Sequence, residues 1–148
     1  MESKHGTEDA ATLQLGPQYE TAVCLWNNQL EVILERSKQF HRELGVEVDG
    51  FVAEVERYLK TQPRFRTEAA EAALLTVEDF NEECRADFEA GLPLRHEHIE
   101  RFEAAQIANL GISDADEAIT LIPSLAAKFT DPAPLEALLE KLQAYRDE

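Results

Sequence analysis

The side chains best suited to binding a metal ion lie close together, at His96, Glu97, His98 and Glu100. Residues two apart on an α-helix point about 200° from each other, so His96 and His98 cannot reach the same ion. His96 and Glu100 are four apart and share a helix face. Zinc in proteins needs three or four ligands, and two do not make a site. The sequence therefore predicts no metal site, and it indicates no cofactor.

Arg36 and His41 are the best candidates for a catalytic pair. Their Arg-x4-His spacing resembles the ribonuclease motif of the HEPN family of helical bundles, and the resemblance covers these six residues. It implies that the pair would cleave RNA. Residues five apart on a helix point about 140° away from each other, which is unfavourable for a joint active site. RNA cleavage by a helical bundle is therefore an alternative and not the main hypothesis.

The sequence offers no other catalytic constellation. Cys24 has Glu20 four residues before it and Asn28 four after it, but no histidine nearby in sequence to act as its base. There is no GxSxG, Walker or GxGxxG motif. Cys24 and Cys84 lack CxxC spacing, which predicts buried, reduced thiols in a cytoplasmic protein. We therefore predict that the protein is not an enzyme.

Carboxylates are concentrated between residues 68 and 89. This stretch holds eight acidic residues and one basic residue, a charge of −7. Like charges four apart on a helix are destabilising by a few tenths of a kcal/mol, so helix stability does not explain their placement. They allow three interpretations: a solvated face that maintains solubility, weak association with Mg²⁺ or Ca²⁺, or a docking surface for a basic protein. In the docking interpretation the contact residues are Glu71, Glu78, Asp79, Glu82, Glu83, Asp87 and Glu89.

The elements that position these side chains are all predicted to be helices, and the first is the clearest. Its apolar positions follow heptad spacing and are Tyr19, Val23, Trp26, Leu30, Ile33, Phe40 and Leu44, with Ser37 as the polar exception. A strand has a period of two and cannot use this spacing. Gly45 followed by Val46 is typical of a left-handed helix end. The pattern predicts one long helix over residues 18–44.

Further helices are predicted at 49–61, 67–90 and 94–110, from Ser113 through Ile119 and Ile122, and at 132–145. In the third helix, Ala73, Val77, Phe80, Cys84 and Phe88 form the expected buried row. Pro123 predicts a kink or a break in the fifth. The fold class is thus all-α, with residues 17–148 forming one bundle of five or six helices. Residues 1–16 are predicted to be a flexible tail.

A second candidate surface is apolar. Leu25 and Val32 are seven residues apart on the predicted first helix and lie off its main seam. This makes the apolar surface wider than one helix–helix contact requires. A second helix of the same chain could cover it, or it could bind a partner helix or another copy of the chain.

Overall charge and hydropathy limit the function classes. The 148 residues carry a formal charge of −16, which disfavours nucleic acid and anionic membranes as partners. No apolar run approaches the length of a membrane-spanning helix. We therefore expect a small cytoplasmic interaction protein that binds a basic partner, of the inhibitor, immunity, chaperone or adaptor type. The alternative is a structural subunit or a homodimer that uses the first helix.

Overall fold

The computed structural model of the chain describes residues 7–19, 21–94 and 96–146. Within these ranges it has no strand, which confirms the all-α fold, and it has seven α-helices. They are α1 (Asn27–Glu43), α2 (Gly50–Thr61), α3 (Ala70–Glu89), α4 (Arg101–Leu110), α5 (Ala115–Leu121), α6 (Leu125–Lys128) and α7 (Ala133–Gln143). No α-helix of the described part is both long and apolar enough to span a bilayer.

The first helix is shorter than its heptad pattern predicts, because α1 begins at Asn27. The prediction of helix is wrong for residues 18–19 and 21–26, and residue 20 lies outside the described residues. Trp26, directly before α1, has an extended backbone, and contacts from elsewhere in the chain hold this segment. Asn109 of α4 accepts a hydrogen bond from the Asn27 N–H (2.7 Å) and donates one to the Leu25 carbonyl (3.1 Å). Trp26 then enters the core, so tertiary contacts override the local helical pattern.

Helices α3 to α7 surround the main core. Its largest buried side chains include Ile107 and Ile112 near the end of α4, Leu125 of α6, and Leu135, Leu138, Leu139 and Leu142 of α7. Pro123 divides the predicted fifth helix into α5 and α6, and a break was one of the two outcomes predicted from the sequence. Gly111 ends α4 with a positive φ of 68°, a conformation that glycine adopts without strain. The predicted end of that helix is confirmed.

A buried ion pair ties α4 to α6. The Glu103 side chain is fully buried and its Oε2 lies 2.7 Å from Nζ of Lys128, whose side chain is 9% exposed. The same carboxylate accepts hydrogen bonds from the Ser124 hydroxyl (2.6 Å) and the Glu100 N–H (2.8 Å). Both carboxylate oxygens therefore have partners, as a buried charge requires.

Residues before Arg101 form a loop and not the predicted start of a helix at 94. The Asn81 amide replaces helical hydrogen bonds here, donating to the Ile99 carbonyl and accepting from the Ile99 N–H. The Cys84 thiol donates to the His96 carbonyl (3.0 Å), and burial raises the pKa of this thiol and keeps it protonated. Phe88 lies one turn beyond this covered part of α3. It is 72% exposed, so the prediction that it is buried is wrong.

The N-terminal region contains a short 3-10 helix, Ala10–Thr12, closed by a hydrogen bond from the Asp9 N–H to the Gln14 carbonyl (2.8 Å). A second 3-10 helix, Thr67–Ala69, leads into α3. Residues 1–6 of the predicted flexible tail lie outside the described residues. The division into a tail at 1–16 and a domain at 17–148 stays a prediction.

Candidate protein-binding surface

Helices α1 and α2 form an antiparallel hairpin with two unlike sides. One side carries an ion-pair network in which Lys38 lies 2.7 Å from Glu56 of α2 and 3.1 Å from Glu35. Arg42 lies 3.1 Å from Glu35 on the same side. The hydrogen bond from Lys38 lowers the pKa of the Glu35 carboxyl, so that both groups stay charged at neutral pH. This side of the hairpin is polar and internally satisfied.

The opposite side is apolar and uncovered. At 100° per residue, Ile33, Phe40 and Leu44 share one flank of α1, and Phe51 and Tyr58 share the adjoining flank of α2. All five side chains are exposed, Phe40 by 59% and Phe51 by 69%. We name these five residues the hairpin face. Large apolar groups contiguous on a surface mark sites of protein association, whereas scattered ones do not.

Hydrogen bonds and an ion pair join the base of the hairpin to the helical body. Its own burial is slight, since α1 buries Asn28 and α2 buries Leu59. The Asn28 amide donates to the Phe65 carbonyl (2.9 Å) and accepts from the Phe65 N–H (3.1 Å). Arg64 contacts Glu31 at 2.7 Å. Phe40, Leu44 and Phe51 of the hairpin face lie toward the end of the hairpin far from these contacts, whereas Ile33 and Tyr58 lie nearer its base.

Five positions of the heptad row predicted on the first helix are exposed. Tyr19 and Val23 are exposed ahead of α1, and Ile33, Phe40 and Leu44 are exposed on it. The spacing shows that residues share a face but not what covers that face. The signal that could have located the surface is the second apolar row on α2, Phe51 and Tyr58, seven residues apart.

The acidic residues of α3 lie on the surface, where they border two different depressions. Six are exposed and Asp87 is half-buried. Asp79 and Glu83 border a cavity of about 480 Å³ between α3 and α7. Glu78 and Glu82 border a separate groove of about 690 Å³ with Cys24 and Trp26.

The other three acidic residues flank those four, with Glu71 in the first turn of α3 and Asp87 and Glu89 near its end. Arg85 lies among them, 2.6 Å from Glu82 and 3.9 Å from Glu89, and partly neutralises the surface. Docking of a basic partner on these residues stays a prediction.

The other predicted contact residues are separated. Leu25 lies in the extended segment before α1, whereas Val32 lies on α1, so the expectation that they share one helix surface is wrong. Both are exposed. Val32 points away from α2 and from the hairpin face, because it precedes Ile33 by one residue.

The histidine clusters do not form chemical sites. His96 is buried in the loop before α4, and its ring stacks on the Phe80 ring with the ring centres 3.9 Å apart. In the described part of the chain no group of three or more histidine, cysteine or acidic side chains could hold a metal ion. His41 Nδ1 is bonded to the Ser37 carbonyl of its own helix (2.7 Å), while Arg36 is exposed. Both cysteines are free thiols, Cys84 buried and Cys24 half-buried.

Comparison with known proteins gives this surface a context. The family model of RNA polymerase Rpb4 matches residues 19–146, a range that includes α1 to α7. The chain is also 31% identical over 142 residues to the DNA-directed RNA polymerase II subunit rpb4 of Schizosaccharomyces pombe. This alignment covers 94% of the chain and 92% of the relative.

These two findings overturn the functional prediction made from charge. The chain is not an immunity protein, a chaperone or an adaptor. Its negative charge did not indicate the correct class of protein. The expectation of a protein partner is supported, because the relative is named as a subunit of a larger enzyme. On the match over residues 19–146 and the similarity along nearly the whole of both chains, this chain belongs to the RNA polymerase Rpb4 family.

Proposed function

We propose that the chain is a non-catalytic subunit of a DNA-directed RNA polymerase and attaches to a neighbouring polymerase subunit through the hairpin face. The observation that carries the proposal is the exposed apolar row shared by α1 and α2. Family membership supplies the class of assembly, and the hairpin face supplies an exposed apolar surface of the kind at which proteins associate.

The chemistry of the hairpin favours a protein over nucleic acid at this face. Its five side chains are aliphatic or aromatic. Over residues 27–61 acidic residues outnumber basic ones, seven to five, whereas phosphate contacts need clustered basic side chains. Aromatic side chains in turn are the residues enriched at the centres of protein interfaces.

The proposal also bears on location. A subunit of RNA polymerase II works where the chromosomes are transcribed, so the nucleus replaces the predicted cytoplasm as the expected compartment. A homodimer through the same face, and the exclusion of nucleic acid from the rest of the surface, stay predictions. Analytical ultracentrifugation of the purified chain shows whether it is a dimer, or a monomer whose hairpin face is open to a polymerase subunit.

The test is capture of polymerase by the tagged chain from a lysate of its own organism. We expect the largest polymerase subunits to be recovered with the wild-type chain and to be lost with Phe40→Asp combined with Phe51→Asp. Each aromatic group at the centre of an interface contributes about 2 kcal/mol or more, so affinity should fall by at least about 30-fold.

Phe88→Asp is the matched control, because Phe88 is equally exposed but lies on α3 of the body, away from the hairpin. It should capture polymerase as well as the wild type does. Circular dichroism must show the same helix content in all three proteins. If the hairpin variant captures polymerase normally, or if Phe88→Asp alone abolishes capture, the proposed surface is wrong.

A further inference from the structure

Phe65 is the point at which the hairpin meets the body. Its side chain is almost fully buried, and the Trp26 ring packs against it with the ring centres 5.4 Å apart. The Arg146 guanidinium carbon lies 4.3 Å from the centre of the same ring. Since Asn28 of α1 holds both backbone groups of Phe65, any movement of this residue moves the base of the hairpin.

The end of the chain reaches this point and joins it to α4. The Arg66 N–H donates to the Tyr145 carbonyl (2.9 Å), and the Arg66 guanidinium donates to the Ala144 carbonyl (3.2 Å). Arg146 Nη2 donates to the carbonyls of Ile107 (3.2 Å) and Ala108 (3.1 Å) in the last turn of α4. A cation is favourable at this end of a helix. Arg146 therefore contacts the hairpin base and the body at the same time.

The remaining nitrogens of Arg146 show that the residue is not optimised for the stability of the whole fold. Nε and Nη1 are buried, and neither has a hydrogen-bond partner in the described part of the chain. Burial also lowers the pKa of this guanidinium. The cost of burying unpaired donors offsets what the stacking and the two hydrogen bonds contribute. We therefore expect Arg146 to contribute little to the free energy of unfolding of the whole chain, although it contacts both the hairpin base and α4.

We infer that Arg146 is a positioning residue that holds the α1–α2 hairpin in a fixed orientation on the helical body. It acts through Phe65 and does not touch the hairpin face. Its effect on polymerase binding rests on the proposed function, whereas its effect on the hairpin can be measured in the isolated chain. Failure of one claim can thus be told from failure of the other.

The experiment is amide hydrogen exchange of the full chain, read by mass spectrometry, for the wild type, Arg146→Met and Lys141→Met. Methionine keeps much of the apolar stem of arginine but removes the charge and the donors. We expect amide exchange over residues 27–61 to become about tenfold faster in Arg146→Met, while residues 101–142 keep their rates. Lys141→Met removes the same charge from an exposed position on α7 and should change neither region.

Two results would overturn the inference. Equal acceleration in both regions, or a variant that does not fold, would mean that Arg146 stabilises the whole fold and does not position the hairpin. Unchanged exchange over residues 27–61 would mean that the Asn28 and Trp26 contacts hold the hairpin without it. If Arg146→Met speeds amide exchange over residues 27–61 as expected, but the Phe40→Asp and Phe51→Asp double variant still captures polymerase, only the proposed function is overturned.

Discussion

Lys128→Met is expected to lower the free energy of unfolding by about 3–5 kcal/mol, the usual cost of leaving one buried charge without its partner. Glu103 is completely buried, and Lys128 is the only positive group that the structure places against it within the described residues. The Ser124 hydroxyl and the Glu100 N–H remain as donors but bring no net charge. Urea unfolding followed by circular dichroism measures the change.

The matched variant is Lys128→Met combined with Glu103→Gln. Removing both charges removes the unpaired carboxylate, and exchanging a buried ion pair for neutral groups is often nearly neutral. The double variant should therefore regain most of the stability lost by Lys128→Met. If it is as unstable as the single variant, the loss comes from packing of the lysine stem and not from the charge.

Phe65→Ala is expected to be destabilising by about 3–5 kcal/mol, as is usual when a fully buried aromatic side chain is deleted. The Trp26 ring and the Arg146 guanidinium both pack against the Phe65 ring. The hairpin base should loosen as the cavity opens. The free energy of unfolding in urea and the exchange rates over residues 27–61 report the two effects.

Phe88→Ala is the control for this change, because it deletes the same side chain from an exposed position. Surface substitutions usually shift stability by no more than about 0.5 kcal/mol. A loss in Phe88→Ala close to that in Phe65→Ala would show that Phe88 is covered in solution. A loss in Phe65→Ala below about 1 kcal/mol would contradict the central place given to Phe65.

Local signals predicted most of the body of the protein. The 3.6-residue period, the proline at 123 and the glycines at 91 and 111 are short-range features, and the helices they delimit follow them closely. The residues directly before Asn27 and Arg101 have a helical sequence pattern but are not helical, because contacts with distant parts of the chain hold them. Asn109 and Asn81 bind backbone groups far away in sequence, at Leu25 and Asn27 and at Ile99, and no local pattern reports such contacts.

The candidate site could be predicted only in part. The heptad row identified Ile33, Phe40 and Leu44 as residues of one face, but a helix period does not tell a core from an interface. The acidic residues of α3 attracted a functional interpretation because their charge is visible in composition. The hairpin face is visible only when α1 and α2 are placed side by side.

Photo-cross-linking from the hairpin face tests the central claim most directly. The photoreactive amino acid p-benzoylphenylalanine would replace Phe51 in one protein and Phe88 in another, and each would be irradiated in polymerase purified from cells. We predict a covalent adduct between this chain and another polymerase subunit from position 51, and none from position 88. An adduct from position 88 with none from position 51 would contradict the assignment of the hairpin face as the polymerase contact.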